Sequence, residues 1–201
     1  MKKILLIILT LLVLTSCQNK NDDFIVYRKA QDYFNNETNY TIEEDNNGTK
    51  TTYIYANNLS YIKDDDKEVY LYIDNGECYG VAYDKDNNIF VREKIDQDDH
   101  YFYPYTFIER LSKIAAYINL NELKLKENKF VGENFTGSYL YNGKLHSPKK
   151  IEIILKDDRI VSFYEEYECN GALAKDTIII SNYGNSRLKL PLNVIDLQVE
   201  Q

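Results

Sequence analysis

The sequence predicts an α+β fold, an antiparallel sheet joined to an amino-terminal helix and a central helical insertion. Three observations predict it. From Tyr40 onward apolar residues recur at every second position through most of the chain, the spacing that puts them on one face of a strand. The strands so defined are joined by short polar turns, several of them Asn-Gly, and turns this short allow antiparallel pairing only, because a parallel neighbour needs a long crossover. Helical spacing appears in only two stretches, near residues 24–34 and 107–118.

In order along the chain, Asp22 or Asp23 caps a first helix that begins near Phe24, since a carboxylate accepts from the free amides of a first turn. Phe24, Tyr27, Ala30 and Phe34 form its apolar stripe, and it ends near Asn35-Asn36. Strands follow at Tyr40 to Glu44, Thr51 to Ala56, Leu59 to Lys63, Glu68 to Ile73, Cys78 to Tyr83 and Ile89 to Lys94. Asn47-Gly48 and Asn75-Gly76 are tight hairpin turns, because both residue types tolerate positive φ. Val69, Leu71 and Ile73 share one side of their strand and Tyr70 and Tyr72 the other; Tyr53 and Tyr55 likewise oppose Thr52, Ile54 and Ala56. The aliphatic side is read as the core. The tyrosines are read as cross-strand pairs on the outer face, worth roughly 0.2–1 kcal/mol each with their hydroxyls wet, or as a platform for a sugar or peptide.

After the polar stretch Asp96 to Asp99, Tyr101-Phe102-Tyr103-Pro104-Tyr105 leads into the central helix, whose first turn suits Pro104. Phe107, Ile108, Leu111, Ile114, Ala115 and Ile118 give it a broad apolar face, and a short helix follows at Leu120 to Leu123. Strands resume at Phe130-Val131, Thr136 to Tyr141, Lys150 to Leu155, Ile160 to Glu168 and Asp176 to Asn182. A sheet with an aliphatic face must hide it, so Val69, Leu71, Ile73, Ile151 and Ile153 are expected opposite Phe107, Leu111, Ile114 and Ile118. Tyr103 and its aromatic neighbours would stand at the mouth of any cavity left between them.

The start of the chain carries an address. Lys2 and Lys3 precede the aliphatic run Ile4 to Leu14, and Leu14-Thr15-Ser16-Cys17 follows. The run is a secretory signal in outline and far shorter than the roughly 20 residues that span a bilayer. Its end resembles the lipobox of bacterial lipoproteins, in which a hydrophobic residue, two small residues and a cysteine direct thioether lipidation and cleavage before the cysteine. The resemblance implies a signal peptide at residues 1–16, a diacylglyceryl thioether with palmitate-type chains on Cys17, and a position at the cell membrane on its extracytoplasmic side. Residues 17–23 then form a polar tether and 24–201 one domain.

Cleavage removes Lys2 and Lys3 from 24 basic side chains and nothing from the 32 acidic ones, so the mature chain has a formal charge of −10. Phosphate backbones are repelled on average, which argues against nucleic acid and assigns membrane attachment to the lipid. With Cys17 acylated, Cys78 and Cys169 remain, to be bridged as one disulfide or kept as two separate thiols. Catalysis finds no support. His100 and His146 are the only histidines, and neither a nucleophile elbow nor zinc-like Cys/His spacing occurs. Asp84, Asp86 and Asn88 have calcium-like spacing, but Ile89 and Ile95 stand where an EF-hand needs Gly and Glu. The expectation is a non-enzyme with no cofactor and no metal.

The order of elements, ending in Ile178 to Gly184 and then Leu188-Lys189-Leu190-Pro191, resembles the LolA-like superfamily of lipoprotein carriers and lipid-binding lipoproteins. That resemblance implies a curved antiparallel half-barrel whose concave face the helices cover, with an apolar cavity for a lipid-like ligand lined by Tyr103, Phe107, Leu111, Ile114, Ile118, Val69, Leu71, Ile73, Ile151 and Ile153. Cys17 departs from the carriers proper, which are soluble. The competing class is a surface interaction, adhesion or envelope-assembly module with a filled core. For the anchor itself, Cys17→Ala is expected to release the protein or leave an unprocessed precursor, read by membrane fractionation and intact mass.

Overall fold

The computed structural model describes residues 22–96, 103–141 and 143–197. Cys17, His100, Tyr101 and Phe102 lie outside them, as does the side chain of Tyr103. Helix α1 (22–36) is followed by a meander of β1 (Asn39–Asn46), β2 (Thr49–Ala56), β3 (Leu59–Lys63), β4 (Glu68–Asp74), β5 (Glu77–Asp84) and β6 (Ile89–Ile95). Helix α2 (Tyr103–Tyr117) and a 3-10 turn (Leu120–Glu122) interrupt the strands. They resume as β7 (Lys124–Lys126), β8 (Lys129–Glu133), β9 (Tyr139–Tyr141), β10 (Lys144–Lys156), β11 (Arg159–Cys169), β12 (Ala172–Ser181) and β13 (Val194–Asp196).

All thirteen strands belong to one open, curved sheet in the order β13-β6-β5-β4-β3-β2-β1-β12-β11-β10-β8-β7, with β9 paired to β10 off this path. Its turns are set locally. Asn47 and Gly48 take φ of 54° and 97°, Asn75 and Gly76 of 51° and 82°, the left-handed values a two-residue hairpin needs. β12 lies between β1 and β11 and so joins the meander to the second half. The sheet is mixed rather than wholly antiparallel, because β13 runs parallel to β6, with Val194 opposite Phe90. A parallel neighbour needs a long connection, and here everything from α2 to β12 supplies it.

The core lies on one face, between the two helices and mainly β1 and β8–β12. Tyr27, Ala30 and Phe34 of α1 and Phe107, Leu111, Ile114 and Ile118 of α2 are buried against Tyr40, Ile42, Phe130, Ile151, Ile153, Phe163, Ile178 and Ile180. Two sequence expectations change. Tyr53 and Tyr55 stand on the helix side and Ile54 on the outer side, because β1 pairs Tyr40 with Tyr55 and Ile42 with Tyr53. Ile73 shares the face of Val69 and Leu71 but is 43% exposed, since its strand ends there at the Asn75-Gly76 hairpin. Cys78 on β5 and Cys169 at the end of β11 are free thiols, with β4, β3, β2, β1 and β12 between their strands.

Two glycines mark close approaches rather than turns. A Cβ on Gly137 would stand 2.2 Å from the Tyr117 carbonyl oxygen at the end of α2, and one on Gly132 would stand 2.7 Å from the Glu122 carbonyl oxygen. Backbone cannot yield as a side-chain tip does. Gly137→Ala is therefore expected to destabilise the domain by about 1–3 kcal/mol in chemical denaturation, whereas Gly143→Ala, with open space around its Cβ, carries only the cost of positive φ.

Candidate functional site

Most of the residues read as a cavity lining are brought together, in one cluster of packed rings and aliphatic side chains. The Phe107 ring centre lies 5.3 Å from that of Phe34 and 5.6 Å from that of Phe163, both edge to face. Phe34 continues to Tyr40 at 4.9 Å and Tyr40 to Tyr55 at 5.0 Å. Tyr27 meets Phe130 at 5.7 Å, and its hydroxyl donates to the Leu111 carbonyl at 2.8 Å. Phe107, Leu111, Ile114, Ile118, Leu71, Ile151 and Ile153 all belong to this cluster, Val69 packs at its edge and Ile73 is not part of it. A groove of about 410 Å³ lies elsewhere, along the polar flank of α1 at Lys29, Asp32, Tyr33, Asn36 and Glu37.

Within the apolar core sits a charged cluster that sequence reading missed. Arg110 is fully buried on α2 and donates through Nη2 to Glu165 of β11 and through Nη1 to Asp176 of β12, both carboxylates also buried. Glu165 and Asp176 are directly opposite in the β11–β12 ladder. The Tyr139 hydroxyl donates to Glu165 Oε2 at 2.5 Å, and the guanidinium lies 4.7 Å from the ring centres of both Tyr141 and Phe163. His146, 3% exposed, stacks on Tyr167 at 3.9 Å and holds Nδ1 at 3.7 Å from Glu165 Oε2, beyond hydrogen-bonding reach. Burial alone would raise the Glu165 carboxyl; Arg110 and the hydrogen bond from Tyr139 overcome it and hold the group below the usual carboxylate range. Burial drives the Tyr139 phenol well above its usual value.

The signals were present in part. Arg110 falls three residues after Phe107 and four before Ile114, on the apolar stripe, and Glu165 alternates with Phe163 and Tyr167 on the inward face. Arg110, Glu165, Asp176, Tyr139 and His146 are all buried, and the cluster ties α2 to β11 and β12.

The opposite face of β3–β6 carries the tyrosines. Three cross-strand pairs, Tyr61 with Tyr70, Tyr72 with Tyr79 and Tyr83 with Phe90, have ring centres 4.8, 5.4 and 5.1 Å apart. Tyr70 also reaches Phe90 at 5.9 Å across Val81, which is fully buried although it faces outward. Arg92 donates to the Tyr72 hydroxyl at 3.2 Å and lies 5.4 Å over the Tyr79 ring. The rings themselves are half-buried, and the hydroxyls of Tyr61, Tyr79 and Tyr83 donate to Glu68, Glu77 and Asn88. Among the described residues no cluster of His, Cys, Asp and Glu has metal-binding geometry.

Residues 1–18 match the family model of the prokaryotic membrane lipoprotein lipid attachment site. The chain thus carries the attachment signal of a membrane-anchored bacterial lipoprotein, with Cys17 in the lipidated position. No curated protein matches the chain.

Breaking the buried cluster leaves a charge without a partner, which costs far more than a surface ion pair. Arg110→Met is expected to destabilise the domain by about 3–5 kcal/mol at neutral pH. Because the Glu165 carboxyl is lowered in the folded state, its contribution is complete above the unfolded value of about 4.3 and is lost as pH falls through the folded one. Denaturation curves of Glu165→Gln between pH 3 and pH 7 are expected to lack that acid-side loss.

Proposed function

We propose that this chain is an extracytoplasmic, membrane-anchored lipoprotein whose folded domain is an interaction module, binding an envelope or extracellular partner through the outer aromatic face of β3–β6. One contrast supports the reading. The rings of Phe34, Tyr40, Phe107 and Phe163 pack against one another between the helices and the sheet, whereas Tyr61, Tyr70, Tyr72, Tyr79, Tyr83 and Phe90 stand half-open around Arg92. Tyr and Arg are the side chains that concentrate binding energy at protein interfaces, because each offers large contact area with a polar end. The pairs are held in place by ring contacts and by the Arg92–Asp196 ion pair, so little rotamer freedom remains to be lost on binding.

A second reading rests on the other side of the same strands. Ile62, Val69, Ala82 and Val91 form one cross-strand row on the helix face, ending at Ile195 of β13, which is 54% exposed. In a LolA-like binder such an apolar strip is where a lipid-like ligand would lie. The two readings separate experimentally. A photoreactive residue in place of Tyr72 is expected to give a discrete adduct on intact cells, lost when Tyr79→Ala and Arg92→Ala are added. Native mass spectrometry of protein from its own membrane is expected to show no bound lipid beyond the anchor, and a stoichiometric lipid lost on Val69→Glu would favour the second reading instead.

A further inference from the structure

We infer that the first turn of α1 and the β7 edge beside it form a membrane-contact surface, which seats the domain on the leaflet that holds its anchor. The inference rests on the lipid attachment at Cys17 and goes beyond it, because an anchor by itself leaves the orientation of the domain free.

The first support is reach. Five residue steps separate Cys17 from Asp22, where α1 begins. Fully extended they span about 18 Å, less than half the roughly 40 Å breadth that compaction gives a domain of this size. The start of α1 therefore cannot leave the neighbourhood of the headgroups, whichever way the rest of the domain turns.

The second support is what stands at that point. Phe24 is 40% exposed and Ile25 56% exposed, adjacent apolar side chains on a turn that needs neither for the core. Val26 packs at the edge of the core, and the buried stripe of α1 begins at Tyr27. Arg28 is exposed on the next turn and lies 5.2 Å over the Phe24 ring, an aromatic and a cation arranged as at a headgroup boundary. Beside them runs β7. The Asp23 carboxylate accepts from the Leu125 amide at 3.3 Å, which fixes Lys124 and Lys126 on either side of that contact. Both lysines are exposed and neither is in an ion pair among the described residues. This edge sets the exposed Phe24 and Ile25 beside Arg28, Lys124 and Lys126, with the Asp22, Asp23 and Glu127 carboxylates in the same stretches, where the chain enters the membrane. Exposed apolar side chains flanked by long cationic ones fit a lipid surface, into which the rings and aliphatic groups sink while the ammonium and guanidinium groups reach the headgroup phosphates.

The chain contains no tryptophan, so a single introduced indole reports its surroundings without background. Full-length lipidated protein carrying Phe24→Trp is reconstituted into vesicles of phosphatidylglycerol and phosphatidylcholine, with or without brominated acyl chains. The control is Ile195→Trp, at the opposite edge of the sheet and similarly exposed. Side chains seated about 5–10 Å into the headgroup and acyl boundary are expected to lose fluorescence about two-fold in brominated vesicles, with a blue-shifted emission, at position 24 and not at 195. Protein that floats with the vesicles while both positions stay unquenched overturns the contact and leaves the anchor standing. Protein that does not float overturns the anchor and the contact together. Equal quenching at both positions also overturns the proposal, because it means that the domain has no preferred seat.

Discussion

A single guanidinium ties one helix to two strands, and the second half of the fold depends on it. Moving Arg110, Glu165 and Asp176 out of water costs several kcal/mol per ion, so the cluster is no simple source of stability. Its effect is on which arrangement is allowed. Glu165 and Asp176 face each other across β11 and β12, so a slip of one residue would turn one carboxylate to the outer face and strip Arg110 of a partner. The two strands are otherwise open to such a slip, because Ile178, Ile179 and Ile180 would satisfy either face. One ion cluster thus fixes the register of the strand that joins the two halves of the sheet, and the seat of α2 upon it.

That dependence explains what could be read from the sequence. Asn47-Gly48 and Asn75-Gly76 were legible because their backbone preference is local, and β4 because Leu71 and Tyr72 differ in kind. β2 was not, since Tyr53, Ile54 and Tyr55 make both of its faces apolar and only the partner strand β1 decides between them. Arg110, Glu165 and Asp176 each broke an apolar pattern, yet nothing local says that the three breaks meet. The early part of β10 hid behind Pro148, whose missing amide is absorbed by a register shift between Pro148 and Lys150. Three-residue β13 has no period to detect, and its parallel pairing is set by a fold that must already exist.

The tyrosines follow from where the helices are. The helix core is richest over β1 and β8–β12; along β3–β5 its buried hydrophobic members reduce to Leu71, with Ile62 and Val69 partly buried and Ser60, Gly80 and Ala82 small. Those strands gain stability from their other side, where paired rings close over Val81. A layer one side chain thick cannot shed water completely. The same rings that stabilise the outer face therefore stay half-exposed, without a separate pocket being built.

Position along the sheet then connects the anchor to that face. β7 adjoins the first turn of α1, a few residues from Cys17, and β6 lies ten strand steps away in the sheet order. At about 4.8 Å per step the path along the sheet is roughly 48 Å. Curvature shortens the direct distance but does not reverse the order. The strands nearest the lipid are therefore the short, lysine-bearing β7 and its neighbour β8, while the aromatic strands β3–β6 occupy the other limb of the sheet. On the two proposals, lipid contact and partner contact would fall at opposite ends of one continuous sheet. A domain seated by Phe24 and Ile25 would hold its tyrosine face clear of the headgroups, where a partner approaching from outside could reach it.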